Sequence, residues 1–136
     1  MFQRIVVGVN RADSAVDALH RAQRLAEEFG ATLHIVTAYE PGAERARSGA
    51  AAPVTAGRAD AEKFLERFAA TMPISVETHA LPEKPAAAIL RVAEEIDADL
   101  VVVGNKGMKG LGRVLGSVPN EVAHKANCSV LIVNTT

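Results

Sequence analysis

Apolar residues along this chain fall into two alternating patterns. Short runs such as Ile5-Val6-Val7-Gly8-Val9 and Leu100-Val101-Val102-Val103 carry no polar side chain at all. A strand covered on both faces needs that continuity, as in a parallel sheet. Between the runs, apolar positions recur at helical spacing. Ala15, Ala18, Leu19, Ala22, Leu25, Ala26 and Phe29 form one such stripe. Asp13 or Ser14 caps it and Gly30 stops it.

The same reading places strands over 4–9, 33–39, 75–80, 99–103 and 130–133. It places helices from 13 or 14 to 29, over 58–70, from 85 to about 96, and from 117 to about 126. Ala61, Phe64, Leu65 and Phe68 are the expected buried stripe of the second helix. Ala86, Ile89, Leu90, Ala93 and Ile96 are that of the third, which Pro85 opens at its first turn. The strand at 75–80 alternates and is more polar, which suits a sheet edge. Residues 41–57, rich in Ala, Gly and Pro, read as a loop. Strand and helix alternate strictly, so the chain predicts an α/β fold: a parallel sheet with helices on both faces, one domain over 1–136.

Composition narrows the function. A chain of 136 residues suits one domain. Fifteen Lys+Arg against 16 Asp+Glu leave a net charge of −1, without the basic excess that nucleic-acid binding uses. Aromatics are 4%, too few for a base-stacking platform. No stretch approaches the roughly 20 apolar residues of a membrane span, and the expectation is a cytoplasmic protein. The single cysteine, Cys128, excludes an internal disulfide and a multi-cysteine metal site. Four scattered histidines give little support for a histidine-based one.

The informative stretch begins at the carboxyl end of the fourth strand, Gly104-Asn105-Lys106-Gly107-Met108-Lys109-Gly110-Leu111-Gly112-Arg113-Val114-Leu115-Gly116-Ser117. Glycines let backbone N–H groups approach an anion, and a helix start adds unpaired N–H groups and a favourable dipole. Lys106, Lys109 and Arg113 stand there with no acidic residue. Together these features describe a phosphate cradle. The alternative is a flexible turn with solvated basic side chains. The segment matches neither the P-loop nor the dinucleotide fingerprint. If strands one and four are central neighbours, the loop from Val9 through Asn10 and Arg11 faces Gly104 across the crevice where ligands bind in open α/β sheets.

With these residues in place, the chain resembles the universal stress protein family over essentially its whole length. The resemblance is carried by Ile5-Val6-Val7-Gly8-Val9, Pro85-Ala86-Ala87-Ala88-Ile89-Leu90, Val101-Val102-Val103-Gly104-Asn105-Lys106-Gly107, Gly116-Ser117-Val118 and Val130-Leu131-Ile132-Val133. It implies a five-stranded, mostly parallel Rossmann-like sheet of the adenine nucleotide alpha hydrolase-like kind. It also implies an adenine nucleotide, ATP with Mg or Mn or else cyclic AMP, and a homodimer through the last strand. ATP-binding members carry Gly-x2-Gly-x9-Gly-Ser/Thr, which puts Gly104, Gly107, Gly116 and Ser117 at the phosphates. Ala38 falls on the adenine-contacting backbone position and Val9 beside the adenine. The spacer here, 108–115, has eight residues rather than nine. The first loop reads Asn10-Arg11-Ala12 where the family usually has Asp-Gly-Ser, so no carboxylate stands at the ribose end.

The remaining polar residues read more simply. Cys128 reads as a buried structural thiol, His34 as packed or hydrogen-bonded, and His20 and His79 as surface positions. His124 reads as solvated or paired with a helix C-terminus, and Asp97 and Asp99 as solvated turn residues. No nucleophile–base pair or paired carboxylates stand out. The expected function is a nucleotide-binding stress-response module rather than an enzyme. A dimeric interaction protein without nucleotide is the alternative.

Overall fold

The computed structural model describes residues 1–10, 14–40, 57–105 and 118–134. Five strands and four helices alternate along it: β1 (Arg4–Gly8), α1 (Ser14–Phe29), β2 (Thr32–Ala38), α2 (Arg58–Ala69), β3 (Val76–Leu81), α3 (Pro85–Glu95), β4 (Leu100–Gly104), α4 (Val118–Lys125) and β5 (Ser129–Val133). The strands form one sheet in the order β3-β2-β1-β4-β5, and every adjacent pair is parallel. β1 and β4 are central neighbours, with Val6 opposite Val101.

The unbroken apolar runs follow from this placement. Ile5, Val7, Leu33, Ile35, Leu100 and Val102 meet Leu19, Ala22 and Ala26 of α1 and Leu65 of α2 on one face. Val6, Val36, Val101 and Val103 meet Ile89 and Val92 of α3 and Val122 of α4 on the other. Successive side chains of a central strand therefore enter opposite cores, which is why Ile5 to Val7 and Leu100 to Val103 are apolar throughout. β3 lies at the edge and reads intermediate to exposed along its length. On α3 the buried residues are Ala86, Ala88, Ile89, Val92 and Ala93, so the expected stripe is rotated: Leu90 and Ile96 only flank the core.

Two helices end in the same way with different residues. After α1, Gly30 takes φ 66° and the Ala31 amide donates to the Ala26 carbonyl at 2.9 Å. After α3, Asp97 takes φ 56°, and the Ala98 amide donates to the Ala93 carbonyl at 2.9 Å. This left-handed cap favours glycine, and aspartate is among the few other residues that adopt it. Asp97 is thus a helix terminator as well as a solvated residue.

Asp99 corrects its expected role as well. Its carboxylate accepts from the backbone amides of Gln3 (2.8 Å) and Arg4 (3.1 Å), fastening the start of the central strand. His79 is not a surface residue either. It is half-buried, and its Nε2 lies 3.0 Å from Nδ1 of His34, which is 4% exposed. Burial lowers the pKa of both rings, against the opposing charge of Glu77. Cys128 is partly buried, and burial first, then Asp99, pushes its thiol pKa up, away from the reactive thiolate.

Candidate functional site

Parallel strands deliver their carboxyl ends to one rim of the sheet. Between β1 and β4 the chain order reverses, and a crevice opens there. It holds a cavity of about 140 Å3. β1 and its exit supply Gly8, Val9 and Asn10, β2 supplies Val36, Thr37 and Ala38, and β4 supplies Val103 and Gly104. The first residue of α3, Pro85, closes one side together with Ile89, and Val118 and Pro119 of α4 close another.

These described walls carry no titratable side chain, and Asn10 and Thr37 are their polar members. The electrostatics come from the backbone instead. α3 and α4 both begin at the cavity, so two helix N-termini turn their positive dipole ends toward it, although Pro85 and Pro119 themselves carry no N–H. An uncharged wall with positive poles suits a flat apolar group attached to an anion.

The walls are fixed by hydrogen bonds past the strand ends. The Val9 amide donates to the Val36 carbonyl at 2.9 Å, and the buried Thr37 hydroxyl donates to the Val9 carbonyl at 2.9 Å. Val9 is thereby held to β2 through both its amide and its carbonyl after its own strand has ended. On the opposite flank the Asn105 amide donates to the Val133 carbonyl at 2.9 Å, and its side chain donates to the Asn134 side-chain oxygen at 3.3 Å.

Of the residues singled out in the sequence, Val9, Asn10, Ala38, Val103, Gly104 and Val118 line the cavity. Asn105 stands just past it, bonded toward the end of β5. Arg11, Lys106, Gly107, Gly116 and Ser117 lie outside the described residues. Sequence reasoning passed over Gly8, Thr37 and Ile89. Thr37 left one signal, a hydroxyl in a strand otherwise built to be buried. Ile89 left none, because an isoleucine in an apolar stripe looks the same whether it faces a core or a cavity.

A wider groove of about 650 Å3 adjoins the cavity through Ala38 and Pro85. Tyr39, Glu40, Pro82, Glu83 and Lys84 form its other walls. Glu83 accepts from Arg91 through Oε1 at 2.6 Å, while its Oε2 is buried with no hydrogen-bond partner among the described residues. An acceptor in that state favours a hydroxyl or amine donor brought by a ligand.

Known proteins resemble this chain over nearly its whole length. The profile of the Universal stress protein family matches residues 1–134. Universal stress protein Rv1636 of Mycobacterium tuberculosis is 35% identical over 147 aligned positions, spanning 99% of this chain and 98% of the relative. A solved universal stress protein in complex with cAMP superimposes with TM-score 0.77 at 35% identity, covering 99% of this chain and 98% of that one. The universal stress protein from Archaeoglobus fulgidus in complex with dAMP shares the fold, with TM-score 0.67 at 23% identity over 97% of this chain and 98% of its own.

Proposed function

The chain belongs to the universal stress protein family, and from that premise we propose that it binds an adenine nucleotide at the β1/β4 crevice. It acts there as a dimeric stress-response module without turning the nucleotide over. The cavity carries this reading: uncharged walls at the switch point, faced by two helix N-termini.

Its 140 Å3 falls short of the roughly 300–1,000 Å3 of a complete small-molecule site. It accommodates the base between Val9, Ala38 and Val103. The ribose then turns toward the adjoining groove, beside Glu83. Glu40 and Glu83 repel phosphate, so the phosphates run the other way, past Gly104 toward the glycines and the three cations of 104–117. Asn10 offers an amide, donor and acceptor both, at the rim.

Three cations suit the charge of ATP with Mg or Mn. The 35% identical neighbour in complex with cAMP favours cyclic AMP as the second reading. Calorimetry separates them. Metal-stripped chain titrated with Mg·ATP is expected to give saturable heat near one site per chain, with cyclic AMP competing. Heat from cyclic AMP alone selects the second reading. Silence toward both sinks nucleotide binding and leaves an interaction protein.

Hydrolysis at a useful rate needs a positioned base. A multiple-turnover assay with Mg·ATP tests the binding role, and release of many phosphates per chain would overturn it.

The dimer rests on β5, an edge strand with Ile132 37% exposed and β4 on its other side. An uncovered apolar edge favours pairing with a second copy. Light scattering at micromolar concentration is expected to give a dimer, and Ile132→Lys a monomer. A monomeric parent would overturn this part of the reading.

A further inference from the structure

We propose that His34, His79 and Glu77 form a binding site for a zinc-class divalent cation, separate from the nucleotide crevice and independent of it. His34 on β2 lies in register with Glu77 on β3, and Val36 lies in register with His79. The three side chains therefore project from one face of the sheet at its β2–β3 edge. One ligand atom from each residue falls within 4.8 Å of the others. Nδ1 of His34 and Nε2 of His79 are 3.0 Å apart, with ring centroids at 5.2 Å. Two nitrogens bound to one zinc at the tetrahedral angle lie about 3.3 Å apart, given Zn–N bonds of about 2.0–2.1 Å. The two nitrogens need to separate by a few tenths of an ångström, while the rings turn so that both lone pairs face the ion and the Glu77 carboxylate swings in from within 4.8 Å.

The donor set selects the ion. Two imidazoles and a carboxylate suit zinc, cobalt, nickel or copper, whereas magnesium prefers oxygen ligands and retained water. Burial already favours the neutral imidazole that ligates. Burial also grades outward: His34 is buried, His79 half-buried and Glu77 exposed. An ion thus enters from the Glu77 side, with water completing its coordination. Once bound, it ties the edge strand β3 to β2.

The competing account is a neutral hydrogen bond between the two rings and nothing more. Cobalt(II) serves as the probe. Metal-stripped, nucleotide-free chain is titrated with Co2+ while the visible absorption bands of the bound ion are followed, then back-titrated with Zn2+. The expected result is one Co2+ per chain, displaced stoichiometrically by Zn2+ and not by excess Mg2+. His79→Gln should weaken binding by more than about 100-fold, beyond the 10- to 100-fold that groups outside the ligand set are worth. Glu77→Gln, at an exposed position, keeps the fold and should weaken binding at least about 10-fold. His20→Gln, on the exposed side of α1, should change nothing.

Absence of saturable uptake leaves only the ring–ring hydrogen bond and overturns the site. Uptake that survives His79→Gln assigns the ion to the exposed His20 or His124 and overturns it equally. Should His79→Gln fail to fold, Glu77→Gln decides alone, and undiminished binding there refutes the proposal. Displacement by Mg2+ refutes the nitrogen-based donor set.

Discussion

Gly8→Val is expected to weaken nucleotide binding by about 10- to 100-fold, the equivalent of an overpacking cost of about 1–3 kcal/mol directed at the site. Gly8 ends β1 and forms part of the cavity wall beside Ile89. A Cβ at position 8 would stand 2.9 Å from Ile89 Cγ1 and collide outright with Ile89 Cδ1. Ile89 is only 4% exposed, so the core behind it gives little room. The open direction for its side chain is the cavity that both residues line. Gly8→Ala should therefore do the same more mildly, since a flexible isoleucine tip can partly swing aside. Ile89→Val removes Cδ1, the atom struck, at about 0.5–1.5 kcal/mol on its own. Combined with Gly8→Ala it should restore affinity, a coupling that two independent losses would not show. Calorimetry on the single and double variants reads this directly. Parent-like binding by Gly8→Val would remove the cavity from consideration as the base site.

Asp99→Ala is expected to destabilise the chain by about 2–3 kcal/mol, from two hydrogen bonds to a charged group reduced by partial exposure. The carboxylate holds the amides of Gln3 and Arg4, and the Asp99 amide in turn donates to the Arg4 carbonyl at 3.1 Å. The Gln3 carbonyl meanwhile accepts from Thr32 at 3.0 Å. The entry into the central strand is thus clamped from β2 and β4 together. Asp99→Asn keeps one acceptor oxygen and should fall between parent and alanine. Urea denaturation followed by circular dichroism measures the series. A midpoint shift worth under about 0.5 kcal/mol, the usual scatter of surface substitutions, would mean that the clamp contributes nothing.

These two residues show how far the sequence could be read. The apolar runs revealed the strands because burial on both faces leaves no freedom of composition. The polar character of 75–80 indicated an edge strand, and β3 is one. Asp99 read as a solvated turn residue because its partners lie 95 and 96 positions away, and no local pattern announces a bond of that span. Asp97 is the solvated turn residue the sequence indicated, but its helix-ending backbone angle was not legible, because aspartate announces that angle far less clearly than glycine does at position 30. His79 met His34 through the register of β2 against β3, which periodicity alone does not fix. In the crevice Val9, Asn10, Ala38, Val103, Gly104 and Val118 were legible. The wall made by Thr37 and Ile89 was not, since cavity walls and core walls are built from the same residues.

The strand order also has a consequence for biosynthesis. β1 emerges first and finds β2 within about 28 positions, yet its other neighbour, β4, begins at Leu100. At elongation rates of about 5–20 residues per second, roughly 3–12 seconds pass between completion of β2 and arrival of β4. Throughout that interval the hydrogen-bonding edge of Ile5-Val6-Val7 is open on the nascent chain. A strand buried on both faces is therefore the one that waits longest for its second partner. That delay makes the half-translated chain a better client for ribosome-associated chaperones than the finished fold would suggest.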